Sequence, residues 1–282
     1  MATARPGPDG LDVGTGPPSR GGELLRLNAR SWGEAGAPLA VLVHGVSGSS
    51  RTWWRVGPWF AENGWHAVAV ELRGHGESPR MSGGERLEDL AGDLYETLVE
   101  ILEPGAKIDV LLGHSLGALV ALKLCDEHGG LVRRLVLEDP PGSESMDFEE
   151  IAHGVEEGVA RARESPEALE REQLSENPSW SREDAAQSVL GMRECDAEPV
   201  AAMFRSGLHY DLSDLAGSIE VPALLVLGSE ARGSVLPEPE RTAVAGALHW
   251  GTVEVFEAGH GVHRDDFEGY TRLLSRWLSR PF

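Results

Sequence analysis

The sequence predicts an α/β fold in which a mostly parallel sheet is flanked by helices and carries a helical cap insertion. Short apolar runs alternate with helical patterns, which is typical of parallel strands connected by crossover helices. The stretch 140–217 differs, because it is rich in Glu, Arg and Ala and contains no convincing strand. The predicted strands cover 39–43, 66–70, 108–112, 134–137, 223–227 and 252–256.

The same patterns divide the chain into three parts. Residues 1–21 are rich in Pro and Gly, so we expect a disordered N-terminal extension. The catalytic core is predicted to consist of residues 22–139 and 218–282, with an antiparallel edge strand within 23–32. Residues 140–217 are then a helical cap over the strand ends, where open α/β sheets bind ligands.

Composition limits the partners. The formal net charge is −21, which repels phosphate backbones and anionic lipids, so we expect no nucleic-acid or membrane partner. The expected partner is an uncharged small-molecule substrate, and a homo-oligomer is compatible with the sequence. Cys125 and Cys195 are isolated and have neither a disulfide nor a zinc spacing. A cytoplasmic location without metal or organic cofactor is the simplest expectation.

The strongest chemical signal is Gly113-His114-Ser115-Leu116-Gly117, which follows an apolar strand and opens an apolar helix over 115–128. A GxSxG sequence in this strand-turn-helix context predicts a nucleophile elbow. The turn forces Ser115 into a strained backbone conformation, and a Cβ at Gly113 or Gly117 is expected to collide with neighbouring elements. Ser115 is therefore the predicted nucleophile.

An oxyanion needs two fixed backbone N–H donors. Leu116, directly after the nucleophile, is the first candidate, and Val46, in the turn after the 39–43 strand, is the second. His44 lies at that strand end, where we expect a structural role, and it is also a candidate pocket residue. Trp53 and Trp54 follow the turn and are candidates for the wall of an acyl pocket, with core packing as the alternative.

A general base is expected late in the chain. His260 fits, because it lies beyond the last predicted strand between Gly259 and Gly261, which let a loop carry the imidazole to the serine. The neighbouring His263 is predicted to anchor this loop or line the pocket. His114, inside the elbow, is a further pocket candidate.

Four motifs in this order resemble the α/β-hydrolase superfamily over roughly residues 23 to 280. They are HGxxGS (44–49), RGHGxS (73–78), GHSLG (113–117) and GHxxHRDD (259–266). The resemblance implies a serine hydrolase with an acyl-enzyme and no cofactor. It does not define a substrate, because relatives include esterases, lactonases, carbon–carbon bond hydrolases and haloperoxidases.

The chain departs from the family at the acid of the triad. Relatives usually carry Asp where this chain has Ala231, so three carboxylates remain as candidates. Asp139 ranks first, because it follows a core strand and Pro140 fixes the outgoing backbone. Glu230 ranks second and Glu138 third.

The predicted reaction is hydrolysis of an uncharged carboxylic ester or lactone by a Ser-His-acid triad. Two alternatives stay open from the sequence. One is carbon–carbon bond cleavage or another non-ester reaction on the same triad. The other is a ligand-binding protein with a degenerate triad, which the alanine at position 231 motivates.

Overall fold

A seven-stranded sheet lies at the centre of the computed structural model, which describes residues 25–144, 146–206 and 208–281. The strand order is β1-β3-β2-β4-β5-β6-β7, and only β1 runs antiparallel to its neighbour among the described strands. The predicted mostly parallel α/β architecture is confirmed. The predicted N-terminal extension, residues 1–21, lies outside the described residues.

The strands and helices follow one another in a regular alternation outside the insertion. The strands are β1 Ala29–Trp32, β2 Leu39–Val43, β3 His66–Val70, β4 Val110–His114, β5 Leu135–Glu138, β6 Ala223–Leu227 and β7 Gly251–Val255. The helices are α1 Val56–Glu62, α2 Leu87–Ile101, α3 Leu116–His128, α4 Phe148–Glu164, α5 Pro166–Glu176, α6 Arg182–Arg193, α7 Ala197–Ser206, α8 Leu212–Gly217, α9 Glu240–Ala247, α10 Val262–Asp265 and α11 Phe267–Leu278.

Both faces of the sheet are buried, because side chains of a strand alternate between them. In β2, Val41 and Val43 contribute to the core beneath α2 and α3, whereas Ala40 and Leu42 contribute to the core beneath α1 and α11. A strand covered on both faces reads as a continuous apolar run. This is why the runs, rather than an alternating pattern, identified the strands.

The predicted strand bounds agree with the structure for three strands and differ by one or two residues for β4, β5 and β7. The runs 39–43, 66–70 and 223–227 match β2, β3 and β6 residue for residue. β4 begins and ends two residues later than predicted, because the backbone stays extended to the elbow and pairs His114 with Glu138. The predicted edge strand is limited to Ala29–Trp32 and pairs with β3.

Five helices, α4 to α8, stand between β5 and β6, and the described residues of this stretch include no strand. Their starts have local causes. Asp147 accepts hydrogen bonds from two backbone N–H groups at the start of α4, and Ser181 and Asp184 form a capping box at the start of α6. Within the described ranges, no helix is both long and apolar enough to cross a membrane.

Candidate active site

The turn between β4 and α3 holds Ser115 in a strained conformation. Its φ is 55° and its ψ is −122°, a region that residues with a Cβ seldom adopt. The flanking glycines allow this turn to pack tightly: a Cβ on Gly113 would lie 2.2 Å from the Gly117 carbonyl oxygen, and one on Gly117 would lie 2.3 Å from that of Val43. The predicted need for glycine at both positions is confirmed.

His260 and Asp139 form a close pair. The Nδ1 atom of His260 lies 2.7 Å from Oδ2 of Asp139, so the imidazole donates from Nδ1 and keeps Nε2 as its basic nitrogen. The carboxylate of Asp139 is fully buried, whereas one third of the His260 side chain is exposed. A buried acid that holds a partly exposed imidazole is the arrangement that a general base requires.

Asp139 is held by the loop after β6. Its Oδ1 accepts hydrogen bonds from the Ser234 hydroxyl at 2.6 Å and the Gly228 N–H at 3.3 Å, and its Oδ2 accepts from the Val235 N–H at 3.0 Å. Three donors stabilise the ionised carboxylate and fix its direction. Its φ of 44° turns the chain sharply at the end of β5.

The other two carboxylates point elsewhere. Glu230 is exposed, and its Oε1 accepts from the Glu238 backbone N–H, so this second-ranked acid does not reach the imidazole. Glu138 is buried on the opposite side of the strand from Asp139 and accepts from both the backbone N–H and Nδ1 of His263. Neither residue is placed beside His260.

The two candidate oxyanion donors line the same cavity as Ser115. Leu116 is the first residue of α3, where a helix leaves its N–H groups without intrahelical acceptors. Val46 lies in the turn after β2. Among the described residues, neither amide donates a hydrogen bond to a protein acceptor. Both N–H groups are therefore free to bind a developing negative charge.

Two buried histidines shape the turn that carries Val46. Nδ1 of His44 donates to the Gly45 carbonyl at 2.7 Å, and its Nε2 accepts from the Leu72 N–H. Burial, together with the nearby His75, lowers the pKa of His44 to about 3, so it remains neutral. His75, from the RGHGxS motif, accepts from the Ser47 N–H at 3.2 Å. His44 is fully buried and lines neither of the two cavities at Ser115, which agrees with the structural role expected for it.

A buried polar cluster lies beneath the elbow. His114 donates from Nε2 to the His260 carbonyl oxygen at 3.0 Å, and its ring packs 4.6 Å from the His260 ring. Burial alone would raise the pKa of Glu138, but the charge and hydrogen bonds of His263 outweigh this and lower it to about 2. His263 therefore anchors the loop of the base and does not line a pocket.

This cluster is also the group of described residues closest to a metal-binding arrangement. Ligand atoms of His114, Glu138 and His263 lie within 4.8 Å of one another. Hydrogen bonds to the His260 carbonyl and between Glu138 and His263 hold the three side chains, each of which keeps one further buried nitrogen or oxygen without a partner among the described residues. We therefore assign it a role in positioning the His260 loop.

Two cavities meet at the elbow, and Val46, Ser115 and His260 line both. The first, here called the apolar chamber, has a volume of about 130 Å³. The second, the polar chamber, has a volume of about 290 Å³ and includes His114 in its wall. The inserted helices and their flanking loops supply much of the apolar chamber through Met146, Phe148, Ile151, Phe204, Leu208 and Tyr210.

Neither predicted tryptophan lines these chambers. Residues Ser50–Trp53 form a 3-10 turn, which directs Trp53 into the core beneath α1 and α11, where it is fully buried. Trp54 donates from Nε1 to Asp184 at 3.0 Å and so ties α6 to this turn. Trp53 therefore has the alternative role of core packing, and Trp54 contacts the inserted helix α6 instead of the chambers. The sequence showed the aromatic pair but not the direction in which the turn points it.

Sequence reasoning missed residues that act on the site from other loops. Ser234 and Val235 hold Asp139, and no local pattern marks them. Arg264 lines the polar chamber and was noted only as part of the GHxxHRDD motif. His75 could have been found, because the RGHGxS motif was recognised without a role for its histidine.

Comparison with known proteins agrees with this geometry. Residues 40–272 match the family model described as the alpha/beta hydrolase family. The chain belongs to this family. It is an enzyme of the α/β-hydrolase superfamily, as the four motifs implied.

The relatives include enzymes with different reactions. One is the 2-succinyl-6-hydroxy-2,4-cyclohexadiene-1-carboxylate synthase of Klebsiella pneumoniae strain 342, 28% identical over 88% of this chain and 96% of the relative. Another is the (E)-2-((N-methylformamido)methylene)succinate hydrolase of Acinetobacter baylyi, 24% identical over 86% and 90%. Among solved structures, E-2-(acetamidomethylene)succinate hydrolase superimposes with a TM-score of 0.75 at 22% identity, covering 90% of this chain and 95% of that one.

Proposed function

We propose that this hydrolase cleaves a carboxylic ester or lactone through an acyl-enzyme on Ser115. The observation that carries the proposal is the 2.7 Å pair of His260 and buried Asp139, which opens onto the cavities lined by Ser115. The pair leaves the basic Nε2 of His260 available to the nucleophile. Hydrogen bonds between nucleophile and base shorten as the transition state forms.

In the first half of the reaction, Oγ of Ser115 attacks the carbonyl carbon of the substrate while Nε2 of His260 removes the hydroxyl proton. Asp139 stabilises the imidazolium that results. The N–H groups of Val46 and Leu116 bind the carbonyl oxygen as it becomes an anion. The bond to the leaving oxygen then breaks, and that oxygen takes the proton from His260.

In the second half, His260 removes a proton from water, and the resulting hydroxide attacks the acyl-enzyme carbonyl. The bond from Ser115 to the acyl group breaks, and the proton returns to Oγ of the serine. The products are a carboxylic acid and an alcohol, or one hydroxy acid from a lactone. The same two amides hold the second tetrahedral anion.

A second candidate is a non-ester reaction on the same residues. The full-length relatives named above favour it, because one is a synthase of a cyclohexadiene carboxylate and one hydrolyses a succinate derivative. The degenerate-triad alternative loses its motive, since Asp139 supplies the carboxylate that Ala231 lacks. Ester, lactone and diketone substrates, assayed side by side, distinguish the two enzymatic candidates.

The nucleophile is tested by labelling with a fluorophosphonate, which reacts with activated serines. We expect rapid labelling of the wild-type protein and none of Ser115→Ala, with loss of esterase activity and unchanged thermal unfolding. Ser206→Ala, an exposed serine of α7, is the matched control and should behave like the wild type. Activity of Ser115→Ala within tenfold of the wild type would overturn the assignment.

A further inference from the structure

The polar chamber beside Ser115 is lined in part by Arg264, which follows the His260 loop (residues 259–261) by three residues. Arg264 lies on α10, and with Ser115 and His260 it lines this chamber. The inserted stretch also lines this chamber, through Gln173, Asn177, Trp180, Gln187 and Ser188. A cation therefore lines the same chamber as the reacting residues and does not line the apolar chamber.

Arg264 forms no close ion pair with another described residue. Within the described ranges, its guanidinium has no carboxylate within 4.0 Å and no hydrogen-bond acceptor. Its guanidinium carbon lies 4.8 Å from the centre of the Trp180 ring. Stacking on an indole holds the guanidinium plane while leaving its N–H edge open. Burial lowers the pKa of Arg264, although the charges of Asp184, Glu138 and Asp265 oppose this shift.

Three acids, Asp184, Glu138 and Asp265, act on the charge of Arg264, and all three are bound to other donors. Asp265 accepts from the Trp180 indole at 2.8 Å, from the Ser179 hydroxyl and from the Gly259 N–H. Asp184 accepts from the Trp54 indole at 3.0 Å and lies 3.7 Å from the Arg55 guanidinium, and Glu138 accepts from His263. Within the described ranges, none of the three forms an ion pair or hydrogen bond with Arg264.

Other polar groups of the chamber are also unused. The side-chain oxygens of Gln173 and Gln187 are buried and form no hydrogen bond with the described residues. Buried polar atoms are seldom left without partners, so these two acceptor oxygens beside Ser115 indicate a polar ligand that also carries a hydrogen-bond donor. The apolar chamber shows the opposite character, since its walls are almost entirely aliphatic and aromatic side chains.

We propose that the polar chamber binds a carboxylate of the substrate through Arg264, while the apolar chamber takes the hydrocarbon part on the other side of the scissile carbonyl. This inference rests on the proposed function of Ser115. It names the substrate as an ester or lactone that carries a carboxylate. It departs from the expectation, drawn from the net charge, that the substrate is uncharged.

The geometry of a guanidinium–carboxylate pair explains why we propose a carboxylate as the ligand of Arg264. A guanidinium presents parallel N–H donors that match the two oxygens of a carboxylate, and such charge-assisted pairs are about twice as strong as neutral hydrogen bonds. The long-range repulsion from the acidic surface is screened within about 10 Å at ordinary salt. Inside the chamber the attraction of Arg264 for a carboxylate therefore outweighs the repulsion from the acidic surface.

The test compares esters that differ only in charge. Phenyl hemisuccinate is paired with its carboxamide, phenyl succinamate, and 4-carboxyphenyl butanoate is paired with 4-carbamoylphenyl butanoate. The first pair places the carboxylate on the acyl side and the second on the leaving side. The measured quantity is the ratio of kcat/KM for the carboxylate over that for the carboxamide. The variants are Arg264→Gln, Arg264→Lys and Arg276→Gln, which loses an exposed surface charge as control.

For at least one pair, we expect Arg264→Gln to lower this ratio about tenfold or more, because a charge-assisted hydrogen bond is lost. Arg264→Lys should give an intermediate ratio, since an ammonium does not form the bidentate pair. Arg276→Gln should leave the ratio within twofold of the wild type. An unchanged ratio for both pairs in Arg264→Gln would overturn the inference.

A binding experiment separates this site from the proposed reaction. Thermal unfolding of Ser115→Ala is measured in the presence of phenyl hemisuccinate and, separately, of phenyl succinamate. The same two measurements are made on the double variant Ser115→Ala, Arg264→Gln. The carboxylate should stabilise Ser115→Ala more than the carboxamide does, and the difference should vanish in the double variant. If no ester is hydrolysed but this difference is present, the proposed reaction falls and the carboxylate site stands. If esters are hydrolysed but the difference is absent, the site falls alone.

Discussion

Asp139 and Glu230 provide the sharpest contrast between single residues, because each is a carboxylate that follows a core strand. Asp139→Asn is expected to lower kcat by about 10²-fold or more, since the base loses the acid that orients it. Glu230→Gln is expected to change kcat by less than about tenfold, because its carboxylate only accepts from the Glu238 N–H. Both variants are measured on one ester at saturation, after thermal unfolding has been compared with the wild type.

The reverse result would identify a different acid. If Glu230→Gln were inactive and Asp139→Asn nearly normal, the loop after β6 would have to rearrange during the reaction. The Ser234 hydroxyl would then lose Asp139 as its hydrogen-bond acceptor.

What the sequence could predict at this scale depended on local backbone chemistry. Ser115 and His260 were identified by flanking glycines, and Asp139 was ranked first because of Pro140. The acid at Asp139 is placed beside His260 as ranked. The structural role expected for His44 agrees with its full burial. Core and pocket stayed open for Trp53, because the direction of a side chain after a tight turn depends on packing from distant elements. Arg264 was missed because no sequence pattern shows whether an arginine forms an ion pair.

At the scale of elements, the elbow depends on the close approach of α3 to β2. A Cβ on Gly117 would lie 2.3 Å from the Val43 oxygen and 2.5 Å from the His44 oxygen, and backbone atoms cannot turn aside. We expect Gly117→Ala to destabilise the fold by about 1–3 kcal/mol, which lowers Tm by roughly 3–10 °C. Differential scanning calorimetry measures this directly.

Gly130→Ala is the matched control, because a Cβ there meets no atom within 4 Å and the residue is exposed at the other end of α3. Its Tm should stay within about 2 °C of the wild type. Equal Tm values for the two variants would show that α3 shifts freely against β2. The elbow would then not be rigid.

Element bounds were predictable where burial was complete and less so where a motif began. β2, β3 and β6 lie within the sheet and have continuous apolar runs, so their ends coincide with the ends of the runs. β4 continues into Gly113 and His114, which the motif alone assigned to the turn. Hydrogen bonding to β5 extends this strand, and the residue pattern of β4 alone does not reveal that pairing.

For the whole molecule, the net charge of −21 should act on the rate of an anionic substrate. Raising ionic strength from about 10 mM to about 150 mM shortens the Debye length from about 30 Å to about 8 Å. The repulsion from distant acidic groups then weakens more than the short-range attraction of Arg264. We expect kcat/KM for the preferred carboxylate ester, relative to its carboxamide, to rise roughly twofold or more.

The measurement uses one salt series with both esters, so that effects on the chemical step cancel in the ratio. If the ratio of kcat/KM for the carboxylate ester over the carboxamide fell with salt, the attraction of Arg264, and not the repulsion from the acidic surface, would dominate the electric field that the incoming substrate experiences.

The placement of the five inserted helices has a further consequence. Ser115, His260, Asp139, Val46 and Leu116 all precede residue 140 or follow residue 217, whereas most of the apolar chamber is formed by side chains between those limits. The proposed reaction centre and most of the apolar chamber are therefore encoded in separate stretches of the gene. Changes confined to the inserted stretch are free to alter which hydrocarbon part of a substrate fits, while the proposed reaction centre keeps its sequence.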